Sequence, residues 1–135
     1  MAVLTRVSTA SVDANTAMFA GQISGDLYAG EALDVCAACY IKAADGKVYM
    51  STGAADTEPA KFDGFTPRAY SSGEAVTLYN IGVRMQYGSG LTPGADYYVS
   101  ATAGKLADAA STGGTTVIAR AINATDIRCV VAAAT

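Results

Sequence analysis

Apolar and polar positions alternate most cleanly between Leu33 and Lys42. Leu33, Val35, Ala37, Cys39 and Ile41 fall on one face, and Asp34, Cys36, Ala38, Tyr40 and Lys42 on the other, which predicts a half-buried strand. Asp45-Gly46 follows and then Lys47-Val48-Tyr49-Met50, so a tight turn with positive φ should fold the chain back as a hairpin. A second run places Ile81, Val83, Met85 and Tyr87 opposite Gly82, Arg84 and Gln86. Thr92-Pro93-Gly94-Ala95 suits a type II turn, because proline fixes φ at the second position and glycine accepts positive φ at the third. Tyr97 to Thr102 reads as the next strand. Thr116 to Ile122 and Thr125 to Val131 read as a closing hairpin around Asn123-Ala124, with Ile127, Cys129 and Val131 inward. Ala54 to Lys61 has no period and reads as a loop with room for one helical turn.

The 14 glycines all lie between Gly21 and Gly114, about one every seven residues, a spacing that fits short strands and turns. Alanine's helix propensity is a weaker signal than the alternation. The fold class is therefore all-β, a compact antiparallel β-barrel or β-sandwich, since both use the same alternating strands. Residues 1–20 contain no glycine, few large apolar side chains and many Ser, Thr and Ala, which suits an extended arm with little reason to order by itself. The division is an N-terminal arm, 1–23, and a β domain, 24–135. A weak echo links Gly30-Glu31-Ala32-Leu33 to Gly73-Glu74-Ala75-Val76, and Tyr40 with Gly46-Lys47-Val48 to Tyr98 with Gly104-Lys105-Leu106. Duplication of a β unit and independent use of the same turn chemistry both account for it.

Composition narrows the chemistry. Val, Ile, Leu and Phe make up about a fifth of the chain, near the level that signals disorder, but a net charge of −3 with eight tyrosines lacks the self-repulsion that keeps chains open. The expected core is thin. With no histidine, a Ser/His or Cys/His relay and a His-ligated zinc are excluded, and the chain reads as a non-enzyme without cofactor or metal. A pI near 4.7 and nine scattered basic residues argue against nucleic acid. No stretch approaches a membrane span, and the N-terminus lacks a basic leader with an apolar run, so the expectation is a soluble protein made in a cytoplasm.

Cys36-Ala37-Ala38-Cys39 has redox spacing, yet residues three apart on a strand point to opposite faces, and no second such pair exists to complete a zinc site. Buried free thiols are expected, in a reducing compartment. The aspartates are dispersed and several occupy turn contexts, so they read as local caps. Gly88-Ser89-Gly90 and Gly113-Gly114 lack the frames of a P-loop or a nucleophile elbow. Asn123-Ala124-Thr125 fits a glycosylation acceptor but reads by default as a turn. The tyrosines either brace the sheets or serve an interface. Met18, Phe19 and Ile23 form the candidate partner-binding cluster, placed to anchor the arm on a partner or fold back on the domain.

Phe62-Asp63-Gly64-Phe65-Thr66-Pro67-Arg68-Ala69-Tyr70-Ser71-Ser72-Gly73-Glu74-Ala75-Val76-Thr77-Leu78, then Gly82-Val83, Gly90-Leu91-Thr92-Pro93-Gly94-Ala95-Asp96-Tyr97-Tyr98-Val99 and Ala103-Gly104-Lys105-Leu106 follow in order. With the closing pair from Thr116 to Val131, this combination resembles the small capsid decoration, or cement, proteins of tailed bacteriophages. The resemblance covers roughly Ser24 to Val131 and departs at Ala119-Arg120-Ala121, where a glycine would be expected. It implies a structural virion protein without catalysis or cofactor, on the outer capsid surface, that binds the major capsid protein and self-associates, as a homotrimer or, alternatively, a dimer. A thin-cored β domain gains from burying edges and apolar surface against copies of itself or a shell. The alternative from the residues themselves is a carbohydrate- or cell-surface-binding β module. A hydrolase using dispersed carboxylates is the weakest reading, since nothing in the sequence would activate them.

Overall fold

The computed structural model describes residues 2–6 and 20–134. Its strands are short, as the glycine spacing requires: β1 (Gln22–Ile23), β2 (Ala38–Ile41), β3 (Val48–Met50), β4 (Gly64–Phe65), β5 (Leu78–Tyr79), β6 (Arg84–Gln86), β7 (Asp96–Val99), β8 (Leu106–Ala107), β9 (Ala119–Ala121) and β10 (Asp126–Cys129), with one 3-10 turn at Glu58–Ala60. They form two five-stranded antiparallel sheets, ordered β1-β5-β4-β2-β3 and β6-β10-β9-β7-β8. The architecture is an all-β sandwich, and the barrel is not closed.

Turn chemistry sets the hairpins. Lys42 N–H donates to the Lys47 carbonyl, and Gly46 takes φ 69° to close the loop between β2 and β3. Pro93-Gly94 makes its turn with Gly94 at φ 80° and a bond from Ala95 N–H to the Thr92 carbonyl. Asn123 Oδ1 accepts from the N–H groups of Thr125 and Asp126, closing the β9–β10 hairpin. The two echoes behave differently. Tyr40 opposite Tyr49 and Ile41 opposite Val48 have the same register as Tyr98 opposite Ala107 and Val99 opposite Leu106, one hairpin at the end of each sheet. The echoed segments at Gly30 and Gly73 instead lie side by side, joined through Ala29 to Glu74 and Leu33 to Tyr70.

The stretch from Leu33 to Lys42 differs from the half-buried strand expected of it. Only Ala38–Ile41 is strand, and Cys36 sits at φ 52°. The cause lies outside the stretch: Thr66 Oγ1 donates to the Asp34 carbonyl and accepts from Ala37 N–H, while Cys36 N–H donates to the Thr66 carbonyl. That clamp holds a conformation that a β-region residue would otherwise avoid. Both faces are then buried. Cys36 and Ala38 join the inter-sheet core with Phe62, Phe65, Met85, Tyr87, Ile118 and Ile127, whereas Ala37 and Cys39 join a second cluster with Leu33, Val48, Tyr70, Val76 and Leu78. The first sheet is thus a middle layer, covered outside by the paired segments near Leu27 to Leu33 and Tyr70 to Val76. Ile81 is a second difference: Gly82 at φ 91° turns the chain before β6, leaving Ile81 49% exposed while Val83, Met85 and Tyr87 are buried.

Several sheet edges are covered. Val48 bonds to Tyr28 and Gly30 beside β3. Leu4 N–H donates to the Leu106 carbonyl and Asp108 N–H to the Ala2 carbonyl beside β8. Arg6 then bridges Gly88, and its guanidinium, 10% exposed, donates to the Val35 carbonyl and the Asp34 carboxylate. Residues 2–6 therefore pack on the second sheet.

Gly64 marks close backbone packing in the middle layer, because a Cβ there would meet Leu78 Cβ at 2.8 Å and the Tyr79 carbonyl oxygen at 3.0 Å. Gly64→Ala should lower stability by about 1–3 kcal/mol, seen as a lower urea midpoint at unchanged m-value. An unchanged midpoint would contradict the close approach of β4 and β5.

Candidate interaction surface

Most side chains with chemical capacity are committed to holding loops. Asp45 accepts from the Tyr49 hydroxyl (2.6 Å) and Lys47 N–H (3.0 Å), Asp63 from Ile41 N–H, Glu31 from Met50 N–H and Glu58 from Ala43 N–H. The Tyr49 hydroxyl and the Lys47 N–H together hold the Asp45 carboxyl below the usual carboxylate range. Glu74 is lowered in the same way, chiefly by Ser71 N–H and then by Arg68. These carboxylates act as backbone clasps. Among the described residues, no group of three or more His, Cys, Asp and Glu could hold a metal ion.

The thiols and tyrosines are likewise structural. Cys36 and Cys39 are fully buried in different clusters, so the two thiols serve separate cores. Burial pushes both thiols well above their ordinary range, and it raises Cys129 to about 11. Tyr87, also buried, accepts Leu106 N–H at its hydroxyl (2.9 Å), tying β8 to the chain leaving β6. Tyr40, Tyr70 and Tyr97 are buried too, and Tyr28 is 44% exposed. Of the candidate partner-binding residues, Ile23 lies on β1 opposite Leu78 and is half-buried against the second cluster. Met18 and Phe19 lie outside the described residues.

The outward face of the second sheet is different. In register across three neighbouring strands stand Arg84 (β6), Arg128 (β10) and Arg120 (β9), so a third of the chain's nine basic residues form one row. Asp126 neutralises Arg84 at 3.0 Å and Asp96 neutralises Arg120 at 3.0 Å. Arg120 also donates to the Gly94 carbonyl. The Arg128 guanidinium, between them and exposed, has no ion-pair or hydrogen-bond partner among the described residues. It lines a shallow, open depression of about 260 Å³ with Ile81, Gly82, Cys129 and Val130. Ile122, 39% exposed, shares the outward side two residues beyond Arg120. The pattern of the sequence places Arg84 and Arg128 outward individually; the row exists only once the register of three strands is known.

The buried thiols generate a pH prediction. A group whose pKa is raised in the folded state contributes stability that is present below its unfolded pKa and lost as pH rises above it. Stability should therefore fall as pH passes the ordinary thiol value near 9.0, and Cys36→Ala with Cys39→Ala should flatten part of that alkaline slope in urea titrations. An identical slope would show that these thiols do not carry it. Comparison with protein-family models, curated protein sequences and solved structures found no match for the chain.

Proposed function

We propose that this chain is a structural virion protein that binds the outer surface of an assembled tailed-phage capsid and cements neighbouring major capsid protein subunits. The observation that carries the reading is the contrast between a scaffold whose carboxylates, thiols and tyrosines are mostly tied inward and an outward sheet face that combines arginine with exposed isoleucine. Such a face suits protein docking, where arginine and apolar side chains alternate with satisfied polar groups. The resemblance of the ordered motifs to those of capsid decoration proteins supports the same reading, with self-association as a homotrimer favoured over a dimer. A clip that binds only the finished lattice stabilises it by mass action, by about 2.7 kcal/mol per site at a hundredfold excess over its dissociation constant. Contacts to several subunits add avidity, because later contacts are effectively intramolecular.

A carbohydrate- or cell-surface-binding module remains the second reading, and exposed Tyr28 is the observation that favours it, since an aromatic face can stack on a sugar ring. Co-sedimentation with assembled shells and with unassembled major capsid protein separates the readings. Cementing predicts binding to shells tighter by at least about tenfold, or 1.4 kcal/mol; equal binding to both forms would contradict it. Replacing Met18 and Phe19 by serine should leave the circular dichroism unchanged and weaken shell attachment, and undiminished attachment would remove these two residues from the contact.

A further inference from the structure

Resting on the capsid-binding reading, the geometry points to a specific contact: we propose that Arg128, with Arg84 and Arg120 beside it and Ile81 at its edge, receives an Asp or Glu carboxylate presented by the capsid shell. Like charges directly opposite one another across a sheet destabilise it. Here Arg128 has arginine on both sides. Among the described residues, Asp126 and Asp96 pair with the two outer members and no carboxylate pairs with the middle one. Burial does not explain the arrangement either, because Arg128 is exposed. The row thus costs the free protein stability while holding one guanidinium ready for an external anion.

The surroundings define that anion. Arg128 lines the depression together with Ile81, which is 49% exposed because of the bend at Gly82. A ligand filling this place meets an apolar wall and a forked donor, the pairing suited to a carboxylate carried on a short aliphatic stem. Charge complementarity favours a protein surface as its source. The chain carries a net −3, and the row gathers three of its nine basic residues on one face, so a carboxylate on a protein surface is drawn to that face and not to the rest of the molecule. The row thereby fixes orientation as well as contact.

The test uses the full chain and assembled shells of the phage's major capsid protein. Arg128→Glu should weaken co-sedimentation by about tenfold or more, and Arg128→Lys should retain part of the binding, since it keeps the charge and loses the fork. Lys47→Glu, on the hairpin of the other sheet, changes net charge equally and should bind as the unaltered chain does. Raising NaCl should weaken the unaltered chain more than Arg128→Gln. Arg128→Gln should also melt about 1–4 °C higher than the unaltered chain, a gain that a purely structural arginine would not give. Shell binding by Arg128→Glu equal to the unaltered chain overturns the proposal while leaving the cement reading intact. So does equal weakening by Lys47→Glu, which would reduce the effect to net charge. A changed oligomeric state in Arg128→Glu with unchanged shell binding would assign the row to a second copy and overturn the proposal as stated. Failure of the unaltered chain to bind any shell removes the cement reading, and the proposal falls with it.

Discussion

Burial of the first sheet on both faces is the constraint from which the rest of the structure follows. A chain with so few large apolar residues cannot fill one thick core, so it stacks thin layers: the second sheet, the first sheet, and the paired segments at Leu27 to Leu33 and Tyr70 to Val76. The chain entering and forming β2 is buried on both sides and has small side chains there, Cys36-Ala37-Ala38-Cys39, and β4 contributes Gly64 against Leu78. The same arrangement places the two cysteines in separate clusters, far from the shared exposure a redox pair needs.

Thin layers leave the outer strands dependent on clasps. Edge groups beside β3 and β8 are satisfied by Tyr28, Gly30, Ala2 and Leu4, and the loops are tied by carboxylates that accept backbone N–H groups. This use explains how Glu31, Asp45, Glu58, Asp63 and Glu74, widely dispersed along the chain, belong to the scaffold. On the second sheet, Arg84 and Arg120 are tied to the scaffold by Asp126 and Asp96, and exposed Arg128 between them is not.

What the sequence made legible were features set by neighbouring residues. Asp45-Gly46, Pro93-Gly94 and Asn123 specify their turns through positive φ, fixed φ or side-chain bonds a few positions away, and the alternation around Met85 and Ile127 names inward residues correctly. Features set by distant partners were not legible. Thr66 imposes the kink at Cys36 from some thirty positions on, the burial of both faces of β2 depends on the cover from Tyr70 and Val76, and the anchoring of residues 2–6 depends on Asp34, Leu106 and Gly88. The arginine row belongs to this second class, because three outward arginines in separate segments say nothing of register. Ile81 fell between the classes: the alternation grouped it on one side with Val83, Met85 and Tyr87, and Gly82, the next residue, turned it out while those three are buried.

The central claim is that this molecule works by seating its arginine-bearing sheet on a protein lattice. Cryo-electron microscopy of shells saturated with the full chain tests it most directly. The account predicts ordered density at repeated lattice positions with β6, β10 and β9 facing the shell; density with that sheet turned toward solvent, or bare shells at saturating protein, would contradict it.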